Sequence, residues 1–124
     1  MVIGRRKGSA YENHVATTHR QAGFADAKRH LEFQWQEAKG VDLDNTFPLA
    51  VQIKCKKSTP SITAIDEIAD GDLPIRVAIL KRTQSPGKHK IEVACIDVEA
   101  YYAIVKIFNE LNLWERLLAE YNAQ

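Results

Sequence analysis

At 124 residues the chain is long enough for one compact domain with its own core and too short for two. A content of 45% hydrophobic and 27% charged residues, without Pro-, Ser- or Gly-rich tracts, excludes a disordered or low-complexity chain. No apolar run approaches the roughly 18–20 residues of a membrane span, and "MVIGRRKGSAYE" lacks the apolar core of a signal peptide, so a cytoplasmic protein is expected.

The elements follow in chain order. "GSAYENHVATTHRQAGF" predicts a helix, because Tyr11, Val15 and Ala22 recur at helical spacing and Gly23 supplies a stop. From Asp26 to Lys39 the alternation of Leu31, Phe33 and Trp35 with Glu32, Gln34 and Gln36 predicts a half-buried strand. The turn-rich "GVDLDNTFP" leads to "LAVQIKCKK", a second alternating strand whose polar members Gln52 and Lys54 share the face opposite Val51 and Ile53. Ile62, Ile65 and Ile68, between helix-start residues at 58–61 and Gly71, predict a short helix. "PIRVAILKR" and "KIEVACIDV" read as a hairpin across "TQSPGKH". Asp97 is placed to cap a helix carrying Tyr101, Ile104, Val105, Phe108 and Leu111, continued after a break at Asn112 by Leu113, Leu117, Leu118 and Tyr121. Its apolar stripe is expected to complete the core, with a dimer interface as the alternative. The order α-β-β-α-β-β-α predicts an α/β sandwich around a small mixed sheet, as a single domain over residues 1–124.

Cys55 and Cys95 lie in apolar runs without a neighbouring Cys or His pair and read as buried thiols. His14, His19, His30 and His89 show no metal-binding spacing, and Trp35 and Trp114 read as core or interface aromatics.

Phosphodiester hydrolysis needs a divalent cation to acidify a water and neutralise phosphorane charge, and hard cations take oxygen ligands. Asp42, Gln52 and the Ile53 carbonyl can supply them if Asp42 ends one strand and Gln52 lies on its partner. Lys54 then points to the same side, where an ammonium can orient the attacking water and hold developing negative charge. Glu12 on the first helix adds a carboxylate. Each residue also has a structural reading. Glu12 can close a capping box with Ser9, Asp42 can shape a turn as Asp44 or Asn45 would, and Gln52 and Lys54 can be polar members of a half-solvated strand.

Taken together, "RRKGSAYENHV", "GF", "GVDL" and "LAVQIKCKK" resemble the archaeal and phage type of Holliday junction resolvase within the PD-(D/E)xK nuclease superfamily. The likeness runs from about Arg5 to Lys57, with looser agreement to about Val98. It implies a restriction-endonuclease-like fold and a magnesium-dependent homodimer, phage-encoded or otherwise, that cuts four-way DNA junctions, with manganese able to substitute. It further implies metal-site roles for Glu12, Asp42, Gln52 and Ile53, and a catalytic role for Lys54. Two features depart from the family pattern. Gln52 stands where a strand carboxylate is usual, as in Mrr-like restriction nucleases, and residues 97–121 do not align. An Mrr-like nuclease of duplex DNA and a non-catalytic DNA-binding module on the same fold are therefore alternatives, with a protein-interaction domain that has no DNA role as a third.

Basicity is concentrated where these motifs lie. Residues 1–90 hold 15 Lys/Arg against 10 Asp/Glu, and residues 91–124 hold 2 against 6. Arg5, Arg6, Lys7, Ser9, Lys28, Arg29, Lys56 and Lys57 are the expected phosphate contacts, with Lys81, Arg82, Lys88 and Lys90 extending the surface.

Overall fold

A computed structural model of the chain describes residues 3–31, 40–56, 61–68, 74–83 and 91–124. Helix α1 (Ile3–Gln21) begins six residues ahead of the predicted cap, so Ser9 lies inside the helix and the Ser9–Glu12 capping box does not form. Its end follows the prediction. Gly23 adopts φ 125°, and the Phe24 N–H closes back on the His19 carbonyl at 3.0 Å.

Strands β1 (Lys28–Arg29) and β2 (Leu43–Asp44) form a short antiparallel pair. Only the beginning of the long strand predicted over 26–39 is therefore seen paired. Phe33 and Trp35, which carried its alternation, lie outside the described residues.

The central sheet has the order β3-β4-β5, built from β3 (Leu49–Lys56), β4 (Ile75–Arg82) and β5 (Ile91–Ile96). β3 and β4 run parallel, with helix α2 (Ser61–Asp66) in the crossover, and β4 and β5 form the predicted antiparallel hairpin. The result is a mixed α/β arrangement of a small three-stranded sheet with helices against it.

The crossover explains why β3 is buried on both faces, as parallel strands generally are. Val51, Ile53 and Val77 pack with Tyr11, Val15 and Ala16 of α1 and with Leu43. On the opposite face Ala78 and Leu80 pack against Ala64 of α2. Gln52 lies in β3 on that second face and is only 5% exposed. This corrects the half-solvated polar face read from the alternation, because α2 covers what the pattern left open. Cys55 and Cys95 are free thiols at half-buried positions.

Helices α3 (Val98–Glu110) and α4 (Trp114–Asn122) break at Asn112, as predicted, where φ is 57°. Two expectations fail here. The Asp97 side chain makes no cap bond. It instead accepts from the Arg76 backbone N–H at 3.1 Å and from Arg76 Nε and Nη2 at 3.2 and 2.8 Å. Nor does the apolar stripe complete the core, since Ala100 is the one residue of the two helices that is buried.

The Arg76 guanidinium holds the Asp97 carboxyl below its ordinary range. A depressed carboxyl pKa stabilises the fold above the unfolded value and loses that contribution as pH falls through the folded one. Asp97→Ala is expected to cost about 1–2 kcal/mol in urea unfolding at neutral pH. The difference from wild type should shrink as the medium is acidified below the carboxylate range.

Candidate functional site

β3 presents one edge to β4 and the other to the loop ahead of β2. On that second edge the Asp42 N–H donates to the Val51 carbonyl at 2.7 Å, and the Ile53 N–H donates to Asp42 Oδ2 at 2.7 Å. Asp42 is therefore not the end of a strand in a hairpin with β3, because β2 pairs with β1. It is nevertheless fixed beside Gln52 by two backbone-anchored bonds. The Ile53 N–H also reaches Gln52 Oε1 at 3.3 Å, so an Asp42 oxygen and the Gln52 amide oxygen converge on one donor. The N–H and carbonyl of a strand residue emerge on the same edge, which turns the Ile53 carbonyl towards Asp42 as well.

The other end of the Gln52 amide identifies a residue that sequence reading passed over. Gln52 Nε2 donates to Glu67 Oε2 at 2.9 Å, and Lys54 Nζ pairs with the same oxygen at 2.6 Å. Glu67 immediately follows α2. The helix returns alongside the strand, so its end comes back to the middle of β3 and stands beside the two polar residues that α2 covers. Gln52 thus donates to Glu67 through its amide nitrogen, while its amide oxygen shares the Ile53 N–H with Asp42. That orientation is fixed chemically, since the reversed amide would set its oxygen against the Glu67 carboxylate.

Gly40 holds these two parts together. It has φ 78°, and a Cβ built on it would run into the Glu67 carbonyl and approach the Ile68 Cα to 2.9 Å. The loop carrying Asp42 can lie against the end of α2 only because that side chain is missing. Gly40→Ala is expected to destabilise the fold by at least about 2 kcal/mol in urea unfolding, from left-handed strain and backbone overlap together. The same substitution should part Asp42 from Glu67.

Glu12, from α1, is the third carboxylate. Its Oε2 accepts from Arg29 Nε at 3.0 Å, and Arg29 Nη2 also reaches Ser9 Oγ at 3.3 Å. Arg29, expected on a phosphate, thus anchors β1 to α1 through Glu12. Sequence spacing gave no sign of that ion pair. The neighbouring His30 Nδ1 lies 3.0 Å from Asp44 Oδ1.

The charges meet at Asp42, whose carboxyl is raised to about 6. Burial is the main cause, and the negative charges of Glu12 and Glu67 add to it. The Ile53 N–H and the Lys54 ammonium work in the opposite direction without cancelling them. An acid poised near neutrality among other carboxylates is what a cation would relieve.

The ligand set as it stands is not a closed cage. Among the described residues, no three His, Cys, Asp or Glu side chains are gathered closely enough to hold a metal. The oxygens that already converge are one of Asp42 and the amide oxygen of Gln52. Glu67 is 43% exposed and has room to turn.

Of the expected DNA contacts, Lys28 and Lys56 are exposed, and Ser9 is engaged by Arg29. Arg5, Arg6 and Lys7 belong to the first turns of α1. Lys57, Lys88 and Lys90 lie outside the described residues. Lys81 Nζ rests 5.1 Å from the centre of the Tyr11 ring, a cation–π contact that ties β4 to α1. Burial and the nearby Glu92 raise the Tyr11 hydroxyl pKa further, so that hydroxyl stays protonated.

No described helix is long and apolar enough to cross a membrane. No family model matches the chain, and no curated protein or solved structure is similar to it.

Proposed function

We propose that the chain is a magnesium-dependent endodeoxyribonuclease that resolves four-way DNA junctions, built on a restriction-endonuclease-like fold and acting as a homodimer in the cytoplasm. The observation that carries this reading is the meeting of Asp42, Gln52 and Lys54 with Glu67, a carboxylate that makes good the charge missing at position 52. The resemblance of Arg5–Lys57 to junction resolvases adds the substrate. Asp42, Glu67, the Gln52 amide oxygen and the Ile53 carbonyl would hold the cation, with Glu12 behind them.

A bound magnesium ion supplies Lewis acidity, lowering the pKa of a water and neutralising charge on the phosphate. The protein's own groups do the remainder. Asp42 must shed its proton to act as a ligand, and its raised pKa delays this until about pH 6. Lys54 pairs with Glu67, and with Glu67 among the residues that would hold the cation, its ammonium would stand beside the scissile phosphate. Its role is then to orient the attacking water and hold negative charge as the phosphorane develops. Hydrolysis leaves 5′-phosphate and 3′-hydroxyl ends. Lys28 and Lys56 would track the backbone beside the site, which makes binding salt-dependent.

Cleavage of a four-way junction compared with a linear duplex of the same sequence tests the substrate. Preference for the junction supports a resolvase, and equal or better cutting of the duplex supports the Mrr-like alternative that Gln52-x-Lys54 favours. Junction binding with no magnesium-dependent cutting would identify a non-catalytic module.

A further inference from the structure

Helix α4 is amphipathic, yet its whole apolar face lies in water. Trp114, Leu117, Leu118 and Tyr121 recur at the spacing of one helical face, and no residue of α4 is buried. Leu118 is 59% exposed and Tyr121 72%. Nine residues are too few for a helix to sustain itself in water, and what holds α4 is its first turn. There the Trp114 ring lies 5.1 Å from that of Phe108, and Trp114 Nε1 donates to Asn109 Oδ1 at 2.7 Å. The turn sets the direction of α4 against α3, while the stripe beyond it stays uncovered.

The charges around the stripe decide what can cover it. At about 100° per residue, exposed Glu115 and Glu120 stand on either side of the stripe, and Arg116 falls behind it. Along α3 and α4 together, Glu99, Glu110, Glu115 and Glu120 outnumber Lys106 and Arg116. A second copy offers no matching apolar surface. Two α4 stripes face to face would set glutamates against glutamates. The exposed Ile62 of α2 and Ile91 and Val93 of β5 belong to elements that hold Asp66 and Glu92 and no Lys or Arg. DNA and anionic membranes are disfavoured by the same acidic flanks.

We propose that the α4 stripe is the docking site for a basic amphipathic helix of a different protein. The partner's apolar face seats on Leu117, Leu118 and Tyr121, and lysines or arginines along its two flanks pair with Glu115 and Glu120. Burial of the stripe supplies the attraction, and the flanking glutamates select the sign of the partner's charge. The contact uses no residue of the proposed nuclease site, and it is measured without DNA or metal.

The test is fluorescence anisotropy of a labelled synthetic helix, with Leu along one face and Lys on both flanks of it, titrated with the full chain. A second peptide with Glu in place of every Lys is the control. The lysine peptide is expected to bind at least about tenfold tighter than the glutamate peptide, and to weaken as salt is raised. Glu115→Lys with Glu120→Lys should reverse that preference, and Leu118→Ser with Tyr121→Ser should weaken binding of the lysine peptide at least about tenfold. These side chains are exposed, so circular dichroism of both variants should match wild type. Should either pair disturb the fold, Glu115→Gln with Glu120→Gln, and Leu118→Gln alone, provide the same readings more gently. Equal binding of the two peptides, no binding of either, or binding that survives loss of the stripe overturns the proposal. So does a wild-type oligomer in sedimentation velocity that Leu118→Ser with Tyr121→Ser dissociates, because a second copy would then occupy the stripe. Adsorption to phosphatidylcholine vesicles that the same variant abolishes would overturn it in favour of a membrane.

Discussion

Glu67→Gln is expected to lower magnesium-dependent cutting at least a hundredfold, about as much as Asp42→Asn, whereas Gln52→Ala should cost nearer tenfold. The order follows from charge. The strand position that usually holds an acid holds Gln52, whose amide oxygen contributes a dipole and no net charge. Glu67 lies 2.9 Å from that amide and 2.6 Å from Lys54, so it can provide the missing negative charge to the same space. A structural role alone would give another ranking. Glu67 is 43% exposed, and losing its pair with Lys54 should change stability by no more than about 1 kcal/mol. Unfolding of Glu67→Gln measured beside single-turnover cleavage separates these readings, since a large loss of rate with little loss of stability points to the metal site. Equal cutting by Glu67→Gln and wild type would remove Glu67 from it.

Asp42→Asn should have effects of opposite sign on stability and on activity. Native Asp42 binds its proton more tightly than the unfolded chain does, with a pKa of about 6 against the ordinary 3.8. Such a group disfavours folding at pH values above its folded pKa, and that penalty disappears as pH falls below the unfolded value. In metal-free buffer near pH 8, Asp42→Asn is therefore expected to be more stable than wild type by roughly 2 kcal/mol, a gain that vanishes near pH 4. The asparagine oxygen can still accept from the Ile53 N–H, so the bond that fixes the loop to β3 survives. Adding magnesium should stabilise wild type and not the variant, reducing or reversing the difference. Thermal unfolding with and without magnesium at both pH values reads the full pattern. A destabilised Asp42→Asn at pH 8 without metal would mean that the carboxylate is structurally required and not held at a cost.

Much of this site was legible because β-strands alternate and turn aspartates precede them. Strand alternation and the resemblance to junction resolvases together point to Asp42, Gln52, Ile53 and Lys54, and Asp42 does lie beside Gln52, though not through the expected hairpin. The parallel crossover was not legible in the alternation of β3, because a periodicity of two reports which residues share a face and not what covers it. Gln52 consequently read as half-solvated when α2 lies over it. Glu67 was missed for the same reason. In "IDEIAD" it resembles a solvated helix residue, and only the return of α2 along β3 makes it a neighbour of residues 13 and 15 positions earlier. The available signal was the βαβ order itself, which brings the end of a crossover helix back towards the strand it left. Of the two readings of Glu12, the capping box fails. A capping box at Ser9 requires the helix to start there, whereas α1 continues back to Ile3 and frees Glu12 to pair with Arg29. The stripe of α3 and α4 predicted burial in the core, whereas Ala100 is the one residue of the two helices that is buried, because an apolar periodicity reports a face and not what lies against it.

The most direct measurement is single-turnover cleavage of a labelled four-way junction by the purified chain in magnesium, with Lys54→Ala alongside. The proposed function predicts paired cuts in magnesium, none in chelator, and a loss of at least a hundredfold in Lys54→Ala while the variant still binds the junction. Robust cutting by Lys54→Ala, or an intact junction in the presence of folded wild type and magnesium, would contradict it.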